Sequence, residues 1–218
     1  MPIPQNYKVP VVLSAKERAF HQIQEWIIDG TLLPGEKIND IELAKAIGVS
    51  RTPIREALQM LGFQGFVSMK PGVATTVNPI DIKNLNQVLL PLAALEALAA
   101  ESAASVATRE DTQLLQDYNQ QFAQAITEKD FFKALKMDEI FHAKIVQMCN
   151  NSYISDITTS LQAHVRRYFF HNAIFLTAES VKEHEKIIEA LAKHDSATAS
   201  QIAKQNWTRP TSGQCDQM

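Results

Sequence analysis

Residues 42–61, ELAKAIGVSRTPIREALQML, constrain this chain more than any other stretch. Leu43, Ala44 and Ile47 recur at helical spacing, Gly48 can leave a helix with positive φ, and Ile54, Leu58 and Leu61 resume the apolar stripe. A helix, a stop and a second helix follow, each with one face to bury, which predicts a helix-turn-helix. Ser50 or Thr52 can cap the second helix, and Pro53 falls in its first turn, where the missing N–H costs nothing. The N-terminal face that begins at Ser50 carries Arg51, Thr52 and Arg55. These are cationic forks for guanine edges or phosphates, a hydroxyl, and helix-terminal amides that favour an anion. A solvated helical hairpin would look the same over these residues alone, so the flanks decide.

Upstream, residues 14–28 (SAKERAFHQIQEWII) are amphipathic, with Ala19, Ile23, Trp26 and Ile27 on one side. Downstream, residues 65–69 and 73–77 are β-prone runs around Lys70, Pro71 and Gly72, a hairpin signal. Three helices and a hairpin predict a winged helix-turn-helix over residues 14–78, with Lys70 and Gly72 joining Ser50, Arg51, Thr52 and Arg55 as DNA contacts. The segments DGTLLPGEKI, ELAKAIGVSRTPIREALQML and GFQGFV stand in an order and spacing that resembles the GntR-type transcriptional regulators over about sixty residues. That resemblance implies sequence-specific binding of double-stranded DNA. Two departures shift the burden onto Arg51 and Arg55: Ile41 replaces an arginine common at that point, and the wing is poorer in arginine than usual.

Charge narrows how such a domain can work. The whole chain carries a net charge of -3, and its 45% hydrophobic content can fill real cores. Within residues 14–78, Lys16, Arg18, Lys37, Lys45, Arg51, Arg55 and Lys70 are matched by Glu17, Glu25, Asp29, Glu36, Asp40, Glu42 and Glu56. A neutral domain binds DNA weakly by itself, so useful affinity predicts two copies acting together as a homodimer on a palindrome. Cys149 and Cys215 form no framework or CxxC pattern, and the sequence shows neither a signal peptide nor a run of membrane-span length. The expectation is a soluble, cytoplasmic protein without membrane contact. Residues 1–13 are expected to form a loose arm, and residues 209–218 an unstructured tail.

Asn78-Pro79-Ile80-Asp81 marks a boundary, and residues 79–208 read as an all-α antiparallel helical bundle. Helices are expected over 81–106, with a bend at Pro91, and over 109–128, 130–149, 154–170, 178–194 and 196–207. The fold class is therefore mainly α. Polar residues interrupt three apolar stripes: Asp138 and His142 between Leu135 and Ile145, His184 between Val181 and Ile187, and Asn206 after Ile202 and Ala203. A buried carboxylate must be neutralised, paired or bound to a metal, since a bare one costs several kcal/mol. Four inward polar groups on three helices suggest a metal site, although a lone histidine on such a face is more often hydrogen-bonded core.

The texts ALEALAAESAA, MDEIFHAKIVQMCNNSYI and KEHEKIIEALAKHD resemble the FCD ligand-binding domain of the FadR-like branch of the same family. That resemblance implies a divalent metal held by an aspartate and three histidines, beneath a pocket for a small effector, often a carboxylic acid. Asp138, His142 and His184 match the first three ligands, and Asn206 stands where the last histidine usually is. An amide oxygen is a harder, weaker donor, which leaves Zn, Ni or Mn, or a metal-free pocket, as alternatives. His164, Arg166 and Arg167 are candidates for the effector, and Leu92 replaces an arginine frequent in related domains. The implied function is a DNA-binding regulator, acting as a repressor controlled by a metabolite. A metalloenzyme built on an open three-ligand site is a competing class, against which no nucleophile or general-base motif is found. A protein-interaction scaffold is a third, which leaves Arg51 and Arg55 unexplained.

Overall fold

The computed structural model describes residues 13–70, 72–171 and 176–208. The expected arm, apart from Leu13, and the expected tail lie outside them. The chain divides into two compact units, Met1–Ile80 and Asp81–Met218.

In the first unit, α1 (Ala15–Ile28) opens on a capping box in which Ser14 and Glu17 satisfy each other's backbone amides. It buries Ala19, Phe20, Ile23, Ile27 and Ile28, whereas Trp26, expected on the inner face, is only half-buried. At 100° per residue, Phe20 lies nearer than Trp26 to the centre of the stripe set by Ile23 and Ile27. Asn39 caps α2 (Asp40–Ile47), and Gly48 ends it at φ 72°. A side chain there would be strained, which is why the stop is a glycine. The second helix of the pair, α3 (Arg51–Phe63), buries Ile54, Ala57, Leu58 and Leu61 and packs on α1 and α2.

Ser50 occupies the N-cap position of α3, yet its hydroxyl makes no capping bond, and Thr52 lies inside the helix. The capping expected of either residue is therefore absent, and the side chains at this helix start are all exposed or half-buried. The wing strands are shorter than their β-prone runs. β1 (Val67–Ser68) pairs antiparallel with β2 (Thr76–Val77) through Val67↔Val77 and Ser68↔Thr76. On its other side β2 bonds the segment before α2: Gly35 N–H donates to Val77 O, Val77 N–H to Glu36 O and Ile38 N–H to Thr75 O, at 2.8–2.9 Å.

The second unit begins with a 3-10 turn, Ile82–Asn84, capped by Asp81, rather than with helix from residue 81. α4 (Leu85–Ala104) follows and runs through Pro91. With the 3-10 turn it is long and apolar enough to cross a membrane, contrary to the expectation of no such run, but half of that window is buried. It is the core helix: α9 (Ser196–Thr208), α7 (Ser152–Phe170), α6 (Phe131–Met148) and α8 (Ala178–Ala192) all pack on it. Ala100, Ala103 and Ala104 of α4 meet Ala199 and Ala203 of α9 in one core cluster with Phe141, Ile145, Ile187 and Leu191. Small side chains on both helices are what permit so close an approach.

α5 (Arg109–Glu128) packs on α6 and α8 and starts with a second capping box, Thr108 and Asp111. Lys144 Nζ donates to Asp111 Oδ1 over 2.7 Å, and with the Thr108 hydroxyl and amide it draws that carboxyl down to about 2. Asp111→Asn should therefore cost about 1 kcal/mol at neutral pH, the scale of a helix cap with a screened ion pair. The folded value lies below the ordinary 3.8. The contribution is thus present above pH 4 and lost as the pH falls towards 2. Urea titrations of wild type and variant at pH 7 and pH 3 should show the difference shrinking at the lower pH.

Candidate DNA-reading face and metal centre

The start of α3 presents Ser50, Arg51, Thr52 and Arg55, all exposed, and the wing presents exposed Lys70 and Gly72. Gly72 has φ 73°, which suits the turn between the strands. Arg55 and Lys70 line a common cleft of about 660 Å³ between α3 and the wing, together with Asn39, Asp40, Gln59 and Thr75. Asp40, at the first position of α2, joins the two arginines. Arg51 Nη2 donates to Asp40 Oδ2 over 2.9 Å and to Oδ1 over 3.2 Å, and Arg55 Nε donates to Oδ2 over 3.0 Å. These guanidinium hydrogen bonds hold the Asp40 carboxyl below its ordinary range.

In the second unit, Asp138 and His142 are four residues apart on α6 and face inward, 5% and 2% exposed. His184 of α8 is fully buried. Asp138 Oδ1 lies 3.9 Å from His142 Nε2 and 3.5 Å from His184 Nε2, and the three ligand atoms lie within 4.8 Å of one another. Donors about 2.0–2.2 Å from a tetrahedral ion stand about 3.4 Å apart, close to this spacing.

The opposite edges of both imidazoles are fixed. His142 Nδ1–H donates to Glu96 Oε2 of α4 over 2.6 Å. His184 Nδ1 lies 3.0 Å from Asn119 Oδ1 of α5, while Asn119 Nδ2 donates to Val181 O over 3.1 Å. The Asn119 amide can satisfy that carbonyl only with its N–H₂, so its oxygen faces His184 and Nδ1 carries the proton. In neutral rings both Nε2 lone pairs then lie on the Asp138 side, the arrangement metal-binding histidines adopt. Phe141 stacks on His184 at 3.9 Å, and Trp207 lies 4.8 Å from His142, so neither ring is free to turn.

Burial pushes His142 down, but Glu96, Asp138 and the Asn206 side chain outweigh it and raise the ring to about 9. A metal-free pocket therefore holds a cationic His142. Its Nε2 is nonetheless buried without a hydrogen bond of acceptable geometry. The three ligand atoms at this spacing, with both Nδ1 edges already engaged, fit a divalent ion, which would displace the proton from His142 Nε2. Asn206 of α9 is half-buried beside the cluster, and its Nδ2 donates to Glu183 Oε2 over 2.8 Å. The Asn206 oxygen is the edge left for the pocket.

The same residues find their counterparts in known proteins. The gntR family of bacterial regulatory proteins matches residues 15–77, and the FCD domain matches residues 88–208, more than half of the chain. The chain belongs to the GntR family of transcriptional regulators. It is 25% identical over 185 residues to the HTH-type transcriptional regulator YdhC of Bacillus subtilis strain 168, covering 84% of this chain and 83% of that one. It is 25% identical over 181 residues to the HTH-type transcriptional repressor RspR of Escherichia coli K12, covering 82% and 79%. The solved structure of E. coli McbR/YncC superposes with a TM-score of 0.73 at 23% identity, over 89% and 96% of the chains. These families and relatives are DNA-binding transcriptional regulators, not enzymes.

Within this GntR-family regulator the three candidate effector residues of α7 part company. Arg166 Nε lies 3.1 Å from Glu139 Oε1, an ion pair with a neighbouring helix. Arg167 is only 3% exposed, and burial lowers its pKa from the ordinary arginine value. His164 is half-buried on the same helix. Leu92, where related domains often carry an arginine, is sealed in the core.

Sequence reasoning also passed over Glu96. That buried carboxylate accepts from His142, from Trp207 Nε1 over 2.6 Å and from Gln162 Nε2 over 2.7 Å, so it ties α4 to α6, α7 and α9. Its position on the Leu89, Leu92, Ala93, Ala100 stripe was the available signal. Asn119 on the Leu115–Phe122 stripe of α5 was another.

Proposed function

We propose that this regulator is a homodimeric, cytoplasmic repressor that binds a short palindromic operator and releases it when a small organic acid enters the FCD domain beside a divalent ion. The observation that carries the proposal is the pair of buried imidazoles, each held at Nδ1, whose Nε2 atoms converge on one Asp138 oxygen. Asp138, His142 and His184 would hold Zn, Ni or Mn, with the Asn206 oxygen as a fourth, harder donor. The ion supplies positive charge for a carboxylate, and Arg167, with His164 and Arg166 on the same helix, supplies cationic or polar groups for the rest of the acid. A metal-free pocket is the second reading, favoured by Asn206 in place of the family's histidine.

The repressor assignment draws on the likeness to RspR. The dimer draws on exposed apolar side chains of two adjoining helices, Leu90 and Leu98 of α4 and Tyr153 and Ile157 of α7, which a second copy would cover. It draws also on the neutral charge of the DNA-binding unit. Effector binding shifts the balance between two spacings of the paired winged helices, and operator affinity follows that balance. Ser50, Arg51, Thr52, Arg55, Lys70 and Gly72 make the DNA contacts in this reading.

The test uses the full-length protein, a duplex it selects from a random-sequence pool, and a scrambled duplex of equal composition. Some member of a panel of small mono- and dicarboxylic acids should lower affinity for the selected duplex at least about tenfold. Arg55→Ala should cost roughly 1–3 kcal/mol on the selected duplex and little on the scrambled one. Lys70→Ala should weaken both alike and reduce the salt slope by about one. Equal losses on both duplexes for Arg55→Ala would sink the assignment of α3 as the reading helix.

A further inference from the structure

The link from Asp40 to the two arginines is worth little as a stabilising contact. Arg51 and Arg55 are more than half exposed, and surface pairs of that kind contribute little to folding. Nor does α2 need Asp40 as a cap, since Asn39 Oδ1 already accepts from the amides of Ile41 and Glu42. What the contact fixes is direction. Asp40 takes Arg55 through Nε alone, so the end-on pair of Nη groups remains open, and that fork is the one matching the O6 and N7 edge of guanine. It takes Arg51 through Nη2, leaving Nη1 and Nε of that side chain open. The same carboxylate sets a negative charge between two exposed cations of this face, which opposes indiscriminate attraction to phosphates.

We propose that Asp40 is a specificity-determining residue of the DNA-reading face, a buttress that acts through Arg55 and Arg51: it holds their forks for base edges and lowers affinity for DNA of the wrong sequence. This rests on the reading of α3 as the recognition helix. Ordering two long side chains before the encounter removes a cost that would otherwise fall on the complex. A carboxylate at this distance favours partners that offer two well-placed acceptors over a diffuse row of phosphates. Asp40 contributes little affinity itself; it widens the gap between right and wrong sequences.

The experiment measures binding of the full-length protein to the selected and scrambled duplexes across a salt series, for wild type, Asp40→Asn, Asp40→Ser, Arg55→Ala and Asp40→Asn/Arg55→Ala. Two Asp40 variants are read together so that a folding defect in one, seen by thermal unfolding, does not decide the matter. Both should bind the scrambled duplex more tightly, with a salt slope steeper by about one, and the ratio of selected to scrambled affinity should fall about tenfold. In the Arg55→Ala background, Asp40→Asn should change that ratio less than about twofold, because the residue it positions is gone. An unchanged ratio in both Asp40 variants, or the same fall with and without Arg55, overturns the buttress. If Arg55→Ala itself leaves the ratio unchanged, the recognition-helix reading fails and the buttress fails with it.

Discussion

With Glu96 replaced by alanine, the helical unit should lose about 3–5 kcal/mol of stability, the scale of removing one partner from a buried charged network. The substitution strands three donors at once: the buried His142 Nδ1–H and Trp207 Nε1–H, and the half-buried Gln162 amide. It also leaves a cavity between four helices that pack as closely as alanine allows. Glu96→Gln keeps the volume and one acceptor oxygen, but turns an N–H₂ towards donors, and should cost about 1–3 kcal/mol. Urea unfolding followed by far-ultraviolet circular dichroism measures both. A loss under about 1 kcal/mol for the alanine variant would mean that water or a rearranged amide serves those donors.

The second large effect concerns the ion. The purified protein should contain close to one divalent ion per chain by elemental analysis, and His142→Ala should reduce that to less than about a tenth. Asn206→His should tighten binding, because imidazole is the softer and stronger donor for Zn or Ni. With free metal at about one hundred times its Kd, a chelator should remove about 2.7 kcal/mol of stability from wild type and almost none from His142→Ala. An ion absent from wild type but gained by Asn206→His would instead support the metal-free pocket, and the effector would then be sought among ligands held by hydrogen bonds and packing.

Much of this was legible because the deciding signals are local. Gly48 ends α2, and Pro53 lies in the first turn of α3. Each works within a few residues of itself, and the helix limits of 109–128 are read and observed alike. Asp138, His142 and His184 stood out because a polar residue on an apolar stripe demands a partner, and the structure brings all three together.

What escaped depends on contacts distant in sequence. Asp40 reaches residues 11 and 15 positions ahead of it. Glu96 finds Trp207 111 positions away, and its own helix is so rich in alanine that one glutamate passes for a solvated position. The burial of Arg167 follows from how α7 is rotated, which a pair of adjacent arginines cannot reveal. The wing strands shrank because β-branched residues report preference, whereas the ladder stops where pairing stops.

Two residues of ladder on each side would make a poor hairpin alone, since isolated two-stranded ribbons are marginal in water. Here the stretch ahead of α2 lies along β2 as a third ply, bonded through Gly35, Glu36, Lys37 and Ile38. Two residues beyond Ile38, the same backbone delivers Asp40 to the arginines, while the far strand of the ribbon leads to Lys70. The lysine and the carboxylate therefore hang from one woven strip of main chain. If the wing and α3 meet DNA together, as proposed above, a shift of one is passed to the other through shared main chain rather than through side chains.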